Sequence, residues 1–187
     1  HIEKFLRERG KTIIGWDEIL ETGMPEQATV MSWRGTPGGI RASAEGHDVI
    51  MSPNTYVYLD YYQDLIRKEP KAVGHMQSLR HVYKFDPVEG IAPEYHHHIL
   101  GLQGNLWCEL IPYAAHAEYM LYPRAFAIAE IGWTPQEKRE FFHFRERCLI
   151  LITIFREKGY NTFDLFNESL RAQTGRLRFD DPTFKLL

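Results

Sequence analysis

Four short apolar runs, each leading to an aromatic residue, constrain the fold of this chain more than any other feature. "KTIIGWDE" ends at Trp16 and "ATVMSWRG" at Trp33. "DVIMSP" is stopped by Pro53 and leads into "TYVYLDYY" with Tyr58, and "HHILGLQGNLW" ends at Trp107. Near-continuous hydrophobicity over a few residues marks a strand buried on both faces, which is the habit of a parallel sheet. Parallel strands need crossovers, and helical patterns lie between or after these runs. "GGIRASAEGH" suits a short helix with glycine at each end. "EYMLYPRAFAIAEIGW" carries Met120, Leu121, Phe126, Ile128 and Ile131 at helical spacing. "PQEKREFFHFRERCLILITIFREKGY" is expected as one long helix with proline in its first turn, closing at Gly159. Residues 64–98 read mostly as loop, punctuated by Pro70, Pro87 and Pro93, and no strong pattern follows Tyr160.

The pattern places four strand–helix units within residues 1–160, with residues 161–187 as a C-terminal tail. A complete (β/α)8 barrel takes about 250 residues, so the chain is predicted to form about half of one. "HIEKFLRER" at the start reads as a helix with Ile2, Phe5 and Leu6 on one face and Gly10 as its cap. That helix has no N-cap residue and the chain has no initiator Met, which leads us to expect a piece of a longer protein.

Composition excludes several classes. The 22 Lys and Arg nearly balance the 25 Asp and Glu, and no basic run reaches the length of a nucleic-acid patch. The longest apolar run, residues 149–155, is interrupted by Thr153 and is too short to span a bilayer. The two cysteines, Cys108 and Cys148, are compatible with free thiols or one bridge, and their spacing fits no metal or redox motif.

Ligands of β/α folds sit at the C-terminal ends of strands. Trp16, Trp33, Tyr58 and Trp107 are all expected there, and carboxylates follow the last two at i+2, as Asp60 and Glu109. In extended chain, residues i and i+2 face the same way, so each of these aromatics shares its side with a hydrogen-bond acceptor. Aromatic faces pack on the apolar face of a pyranose while carboxylates accept from its hydroxyls, so the set suits a sugar. A single Trp is more often core than ligand wall; four aromatics at equivalent strand ends favour a pocket. Asp17-Glu18 resembles an acid pair, but neighbours in a strand face opposite ways and carboxylates are common at helix starts. His96, His97 and His98 are read as structural or solvent-facing, because three consecutive histidines lack tetrahedral geometry without further ligands. Ser32, Ser52 and Ser78 sit in no nucleophile context.

These residues bring a family into view. "GKTIIGWDEIL", "ATVMSWRG", "YLDYYQ", "YKFDP" and "ILGLQGNLWCE", in that order, resemble the family 20 β-N-acetylhexosaminidases, and "YMLYPRAFAIAEIGW" is similar to the family's last barrel helix. The resemblance covers residues 2–135 and implies the C-terminal half of a (β/α)8 barrel, about strands 5 to 8. It implies a retaining glycosidase that removes terminal N-acetylglucosamine or N-acetylgalactosamine from glycans by substrate-assisted catalysis, an exception to the two-carboxylate scheme. The substrate's acetamido oxygen attacks the anomeric carbon, a Glu protonates the leaving oxygen, and the Asp before it orients the acetamido group. No cofactor or metal is implied. Carried onto this chain, Tyr58 donates its hydroxyl to the acetamido oxygen. Trp16, Trp33 and Trp107 wall the pocket, and Asp60 and Glu109 bind the 4- and 6-hydroxyls. The setting implied is periplasmic, secreted or lysosomal.

The chain departs from the family in what it lacks. The Gly-Gly-Asp-Glu motif with the acid pair does not occur, nor does the first-strand arginine that also holds the sugar. A further pocket Trp, frequent in the family between the positions of Asp60 and Trp107, is absent, so either Tyr83 or a neighbour substitutes for it or that wall of the pocket is open. The chain alone is therefore expected to be inactive, since loss of a general acid removes about 10² to 10⁴ in rate. Expected partners are N-acetylhexosamine-terminated glycans, with self-association or pairing with an N-terminal half through the open sheet edges. The alternative is a non-catalytic N-acetylhexosamine-binding module.

Overall fold

The computed structural model describes residues 2–21, 23–25 and 27–174. A short helix α1 (Ile2–Arg7) leads into strand β1 (Ile14–Trp16) and a 3-10 turn, Asp17–Glu21. Strand β2 (Thr29–Ser32), helix α2 (Pro37–Ala44) and strand β3 (Val49–Met51) follow, then a small parallel pair, β4 (Tyr61–Tyr62) with β5 (Val73–Met76). Helix α3 (Leu79–Tyr83), a 3-10 segment over Pro93–His98 and strand β6 (Ile99–Leu102) come next. Helices α4 (Ala114–Leu121), α5 (Arg124–Trp133), α6 (Phe141–Glu157) and α7 (Leu170–Thr174) complete the described chain.

The main sheet is parallel throughout, in the order β1-β2-β3-β6, with Gly15 opposite Val30, Met31 opposite Ile50, and Met51 opposite Leu102. This is a partial (β/α) barrel. The inner strands behave as their apolar runs predict: Val30, Val49 and Met51 are fully buried beneath Ala42, Phe85 and Ile131. The outer strands do not, since Ile14 and Leu100 are each 59% exposed where the sheet stops. A second core joins α3, α5 and α6 through Leu79, Val82, Ala127, Phe144, Cys148 and Ile152.

Several expectations are corrected. The patterned segment 118–133 is two helices, because Pro123 has no amide proton to return to the Tyr119 carbonyl. That carbonyl accepts instead from Gln63 Nε2 at 2.6 Å. The long helix begins at Phe141, not at its proline, because Glu140 caps it by accepting from the amides of Phe142 (3.1 Å) and His143 (2.7 Å). Residues 64–98 are more than loop: Ser78 accepts from the His81 amide and starts α3, whose Leu79, Val82 and Tyr83 are buried. The apolar face expected on α1 is not covered, with Ile2 and Phe5 both exposed. Past Tyr160, Phe163 and Leu165 pack into the second core and Ala172 is buried, with Ser78 Oγ donating to the Ala172 carbonyl at 2.9 Å. Of the tail assigned to 161–187, residues 175–187 lie outside the described residues.

Candidate functional site

Trp16 is the last residue of β1, and Trp33 follows β2 directly, so both stand at the C-terminal edge of the sheet. Tyr58 and Trp107 arrive differently. β3 ends at Met51, Pro53 turns the chain, and the segment around Tyr58 then runs beside Asn105 as an isolated parallel bridge. β6 likewise stops at Leu102 before the chain continues to Trp107. Gly104 allows that continuation: a Cβ there would stand 2.4 Å from Ile128 Cδ1 on α5. The aromatics thus share one end of the sheet although two of the four lie beyond their strands.

Trp16, Glu18, Trp33, Tyr58, Trp107 and Glu109 line one cavity of about 360 Å³. The rings of Trp33 and Tyr58 are nearly parallel, 17° apart with centroids separated by 6.3 Å. Trp107 is tilted against both Trp16 (6.0 Å) and Tyr58 (6.3 Å). Asp60 lies next door, in a small cavity of about 10 Å³ that shares Trp107 and Glu109 with the first and also touches Lys71 and Val73. That volume suits one water-sized group, such as a hydroxyl. Five of the six predicted residues therefore meet in the main cavity, and the sixth reaches it through Trp107 and Glu109.

The electrostatics of the small cavity are unusual. Asp60 is buried, and its Oδ1 has no hydrogen-bond partner. Burial pushes its carboxyl up and nearby Glu109 adds to this, while Arg124 and the Trp107 amide pull the other way. Arg124 is itself wholly buried behind Asp60. Its guanidinium donates to the carbonyls of Tyr61 (2.9 Å), Gln77 (3.1 Å), Met120 (2.7 Å) and Leu59, and so pins both neighbours of Asp60. Burial also raises the Tyr58 phenol, and the nearby Asp60 adds to this.

Asp17 and Glu18 lie not in the strand but at the start of the 3-10 turn Asp17–Glu21, and their side chains separate. Asp17 is buried and structural: it accepts from the amides of Trp33 and Arg34, both at 3.1 Å, and from Arg34 Nε at 2.6 Å. Glu18 faces the cavity with both oxygens 3.0 Å from Trp33 Nε1, and that bond holds its carboxyl below the usual range. The histidine run makes structural contacts, His96 Nε2 with the Ile91 carbonyl (2.9 Å) and His98 Nδ1 with Asp48 (3.2 Å). Among the described residues no group of three or more His, Cys, Asp or Glu converges, and no helix is long and apolar enough to cross a membrane. The expectation for Tyr83 is corrected: its ring stacks on Phe144 at 4.5 Å in the second core, away from the cavity. Cys108 is exposed, Cys148 is buried, and both are free.

Sequence reasoning misses Asn105 and Arg124 and weighs Glu18 only as half of an acid pair. Glu18 carried a usable signal, since it follows Trp16 at the same i+2 spacing that singled out Asp60 and Glu109. Asn105 and Arg124 act through contacts distant in sequence, and no local pattern marks them.

Residues 1–136 match the family described as glycosyl hydrolase family 20, catalytic domain. A β-hexosaminidase of Porphyromonas gingivalis is 46% identical over 147 residues, covering 78% of this chain and 19% of that protein. One of Vibrio furnissii is 34% identical over 137 residues, covering 71% and 22% respectively. Among solved structures, the family 20 exo-β-N-acetylglucosaminidase of Vibrio harveyi in complex with N-acetylglucosamine superposes with a TM-score of 0.79 at 26% identity, covering 88% of this chain and 26% of that one. The chain thus spans about a fifth of the length of these curated relatives. With the parallel partial barrel, the aromatic cavity at its C-terminal edge and these similarities in agreement, the chain belongs to glycosyl hydrolase family 20.

Proposed function

We propose that this chain forms the sugar-holding side of the active site of a retaining β-N-acetylhexosaminidase, with the general acid supplied from outside these 187 residues. The observation that carries the reading is the single cavity in which Trp16, Trp33 and Trp107 surround the Tyr58 phenol, with Glu109 at its side. In this reading the indoles enclose the pyranose and its acetamido methyl. The Tyr58 hydroxyl donates to the acetamido oxygen and aligns it for attack on the anomeric carbon, a positioning contribution. As that C–O bond forms, the glycosidic C–O bond breaks and the leaving oxygen takes a proton from the acid. Water then attacks the anomeric carbon of the oxazolinium ion, breaking its bond to the acetamido oxygen and returning a proton to the carboxylate left by the acid, with net retention of configuration. Asp60 Oδ1, buried and unpartnered, accepts a sugar hydroxyl in the small cavity, and Glu109 accepts another.

No carboxylate in the main cavity is free to serve as the acid by the same argument: Glu18 is held by the Trp33 indole and Glu109 adjoins Asp60 at the hydroxyl end. Lacking Gly-Gly-Asp-Glu, the chain depends on a further segment, and the open edges of β1 and β6 are where additional parallel strands would pair. A non-catalytic binding module would use the same cavity without that segment. The test is turnover. The chain alone is expected to leave 4-nitrophenyl N-acetyl-β-glucosaminide intact, and a longer form that includes Gly-Gly-Asp-Glu is expected to cleave it. Cleavage by the chain alone would refute an external acid, and an inactive longer form would favour the binding module.

A further inference from the structure

Arg124 holds Asp60 through the backbone rather than through its carboxylate, whose Oδ1 is left without a partner. Nη1 of Arg124 donates to the carbonyls of Tyr61 (2.9 Å) and Gln77 (3.1 Å), and Nη2 to those of Leu59 and Met120 (2.7 Å). All four terminal N–H groups of the planar fork are therefore engaged. Leu59 and Tyr61 flank Asp60, and the carbonyl of Asp60 itself accepts from the Val73 amide at 3.3 Å. Three successive carbonyls are thus tied down. Peptide units are planar, so holding them fixes the planes on both sides of Asp60 and with them the direction of its Cα–Cβ bond.

The same fork reaches a second wall of the small cavity. Met120 lines that cavity together with Asp60, and its carbonyl shares Nη2 with the carbonyl of Leu59. One rigid guanidinium therefore sets the spacing between two lining residues of a space of about 10 Å³. Such a space takes one water-sized group. A buried acceptor held at a fixed depth rewards the ligand that brings a hydroxyl and rejects the analogue that leaves it unpaired.

We infer that Arg124 is a positioning residue for hydroxyl recognition: by clamping the backbone on both sides of Asp60 and at Met120, it makes the small cavity selective for one sugar hydroxyl. This deepens the proposed function and rests on it, since the hydroxyl belongs to the N-acetylhexosamine held in the main cavity. Arg124 touches no substrate; it acts through Asp60.

The test is a double-mutant cycle on the whole 187-residue chain. Affinities for N-acetylglucosamine and for its 4-deoxy and 6-deoxy analogues are read by tryptophan fluorescence. Asp60→Ala is expected to weaken N-acetylglucosamine and one analogue but not the other, and the spared analogue identifies the hydroxyl that Asp60 accepts. Arg124→Lys keeps the charge but cannot span four carbonyls. Its expected effect is a loss of about 10-fold for N-acetylglucosamine, less than about 2-fold for the spared analogue, and nothing further in an Asp60→Ala background. Equal losses for all three ligands, or a loss that persists without the Asp60 carboxylate, would show a merely structural role and overturn the inference, as would no loss at all.

If Arg124→Lys does not fold, the unsubstituted chain still decides. A clamp that favours the hydroxyl must be favoured by it in return. Exchange of the Arg124 Nη protons with water is expected to slow about 10-fold near saturation with N-acetylglucosamine, and less than about 2-fold at the same saturation with the spared analogue. Equal slowing by the two ligands overturns the inference. If Asp60→Ala spares neither analogue or weakens nothing, or the unsubstituted chain binds no N-acetylglucosamine, it is the proposed function that fails first.

Discussion

The indole nitrogen of Trp33 lies 3.0 Å from each oxygen of Glu18, so the aromatic wall that faces Tyr58 is held by a carboxylate of the same cavity. A Trp side chain turns about two torsions, and a bidentate acceptor on its N–H selects one ring orientation. The near-parallel setting of Trp33 against Tyr58 depends on that choice.

Glu18→Ala is therefore expected to loosen Trp33 and weaken N-acetylglucosamine binding by about 3- to 10-fold, with Glu18→Gln, which keeps one acceptor, losing less. The Trp33 indole proton resonance reports the same event directly: it should move upfield in the Ala variant as the hydrogen bond is lost. Unchanged affinity and an unchanged resonance would show that Glu18 does not hold the wall.

Arg124 satisfies the carbonyls of Leu59, Tyr61, Gln77 and Met120 from a fully buried position. Arg124→Met fills much of the volume but leaves those carbonyls without a donor and Asp60 without its nearby cation. A loss of about 3 kcal/mol or more is expected in urea unfolding. Arg124→Lys should recover only part of it, because one ammonium cannot span the fork of the guanidinium. A Met variant within about 1 kcal/mol of the unsubstituted chain would contradict this role.

Glu168 is buried beside Arg145 at 3.4 Å, and burial outweighs that partner, pushing its carboxyl from 4.5 to about 7. The folded state thus keeps a proton that the unfolded chain has already released. The associated stability is fully present below pH 4.5 and is lost as pH rises through about 7. The full shift corresponds to roughly 3 kcal/mol. Glu168→Gln should remove this component, so the variant gains stability relative to the unsubstituted chain between about pH 5 and pH 8 in paired denaturation curves. Parallel pH profiles for the two proteins would refute the assignment.

The architecture was readable from the chain because its inner strands are continuous apolar runs separated by helical spacing, and neither signal depends on distant contacts. Trp16 and Trp33 are placed at one edge for the same reason, whereas Trp107 lies five residues past the end of β6 at Leu102. Tyr58 stands at the expected end of the sheet but not at a strand end, since it lies in a separate stretch past Pro53 that pairs with Asn105. The break at Pro123 was visible as a proline, but the partner that compensates for it, Gln63, is remote in sequence. Local rules likewise say nothing of which carbonyls Arg124 will satisfy, or that Tyr83 turns toward Phe144.

The central claim, that the aromatic cavity holds an N-acetylhexosamine, is tested most directly by the indole resonances of the four tryptophans in a ¹H–¹⁵N spectrum of the chain. Trp16, Trp33 and Trp107 line the cavity, whereas Trp133 is 89% exposed outside it and serves as an internal control. Added N-acetylglucosamine is predicted to shift the first three and leave Trp133 in place, with the shifts reduced in Tyr58→Phe. A spectrum that does not change, or one in which only Trp133 moves, would contradict the account.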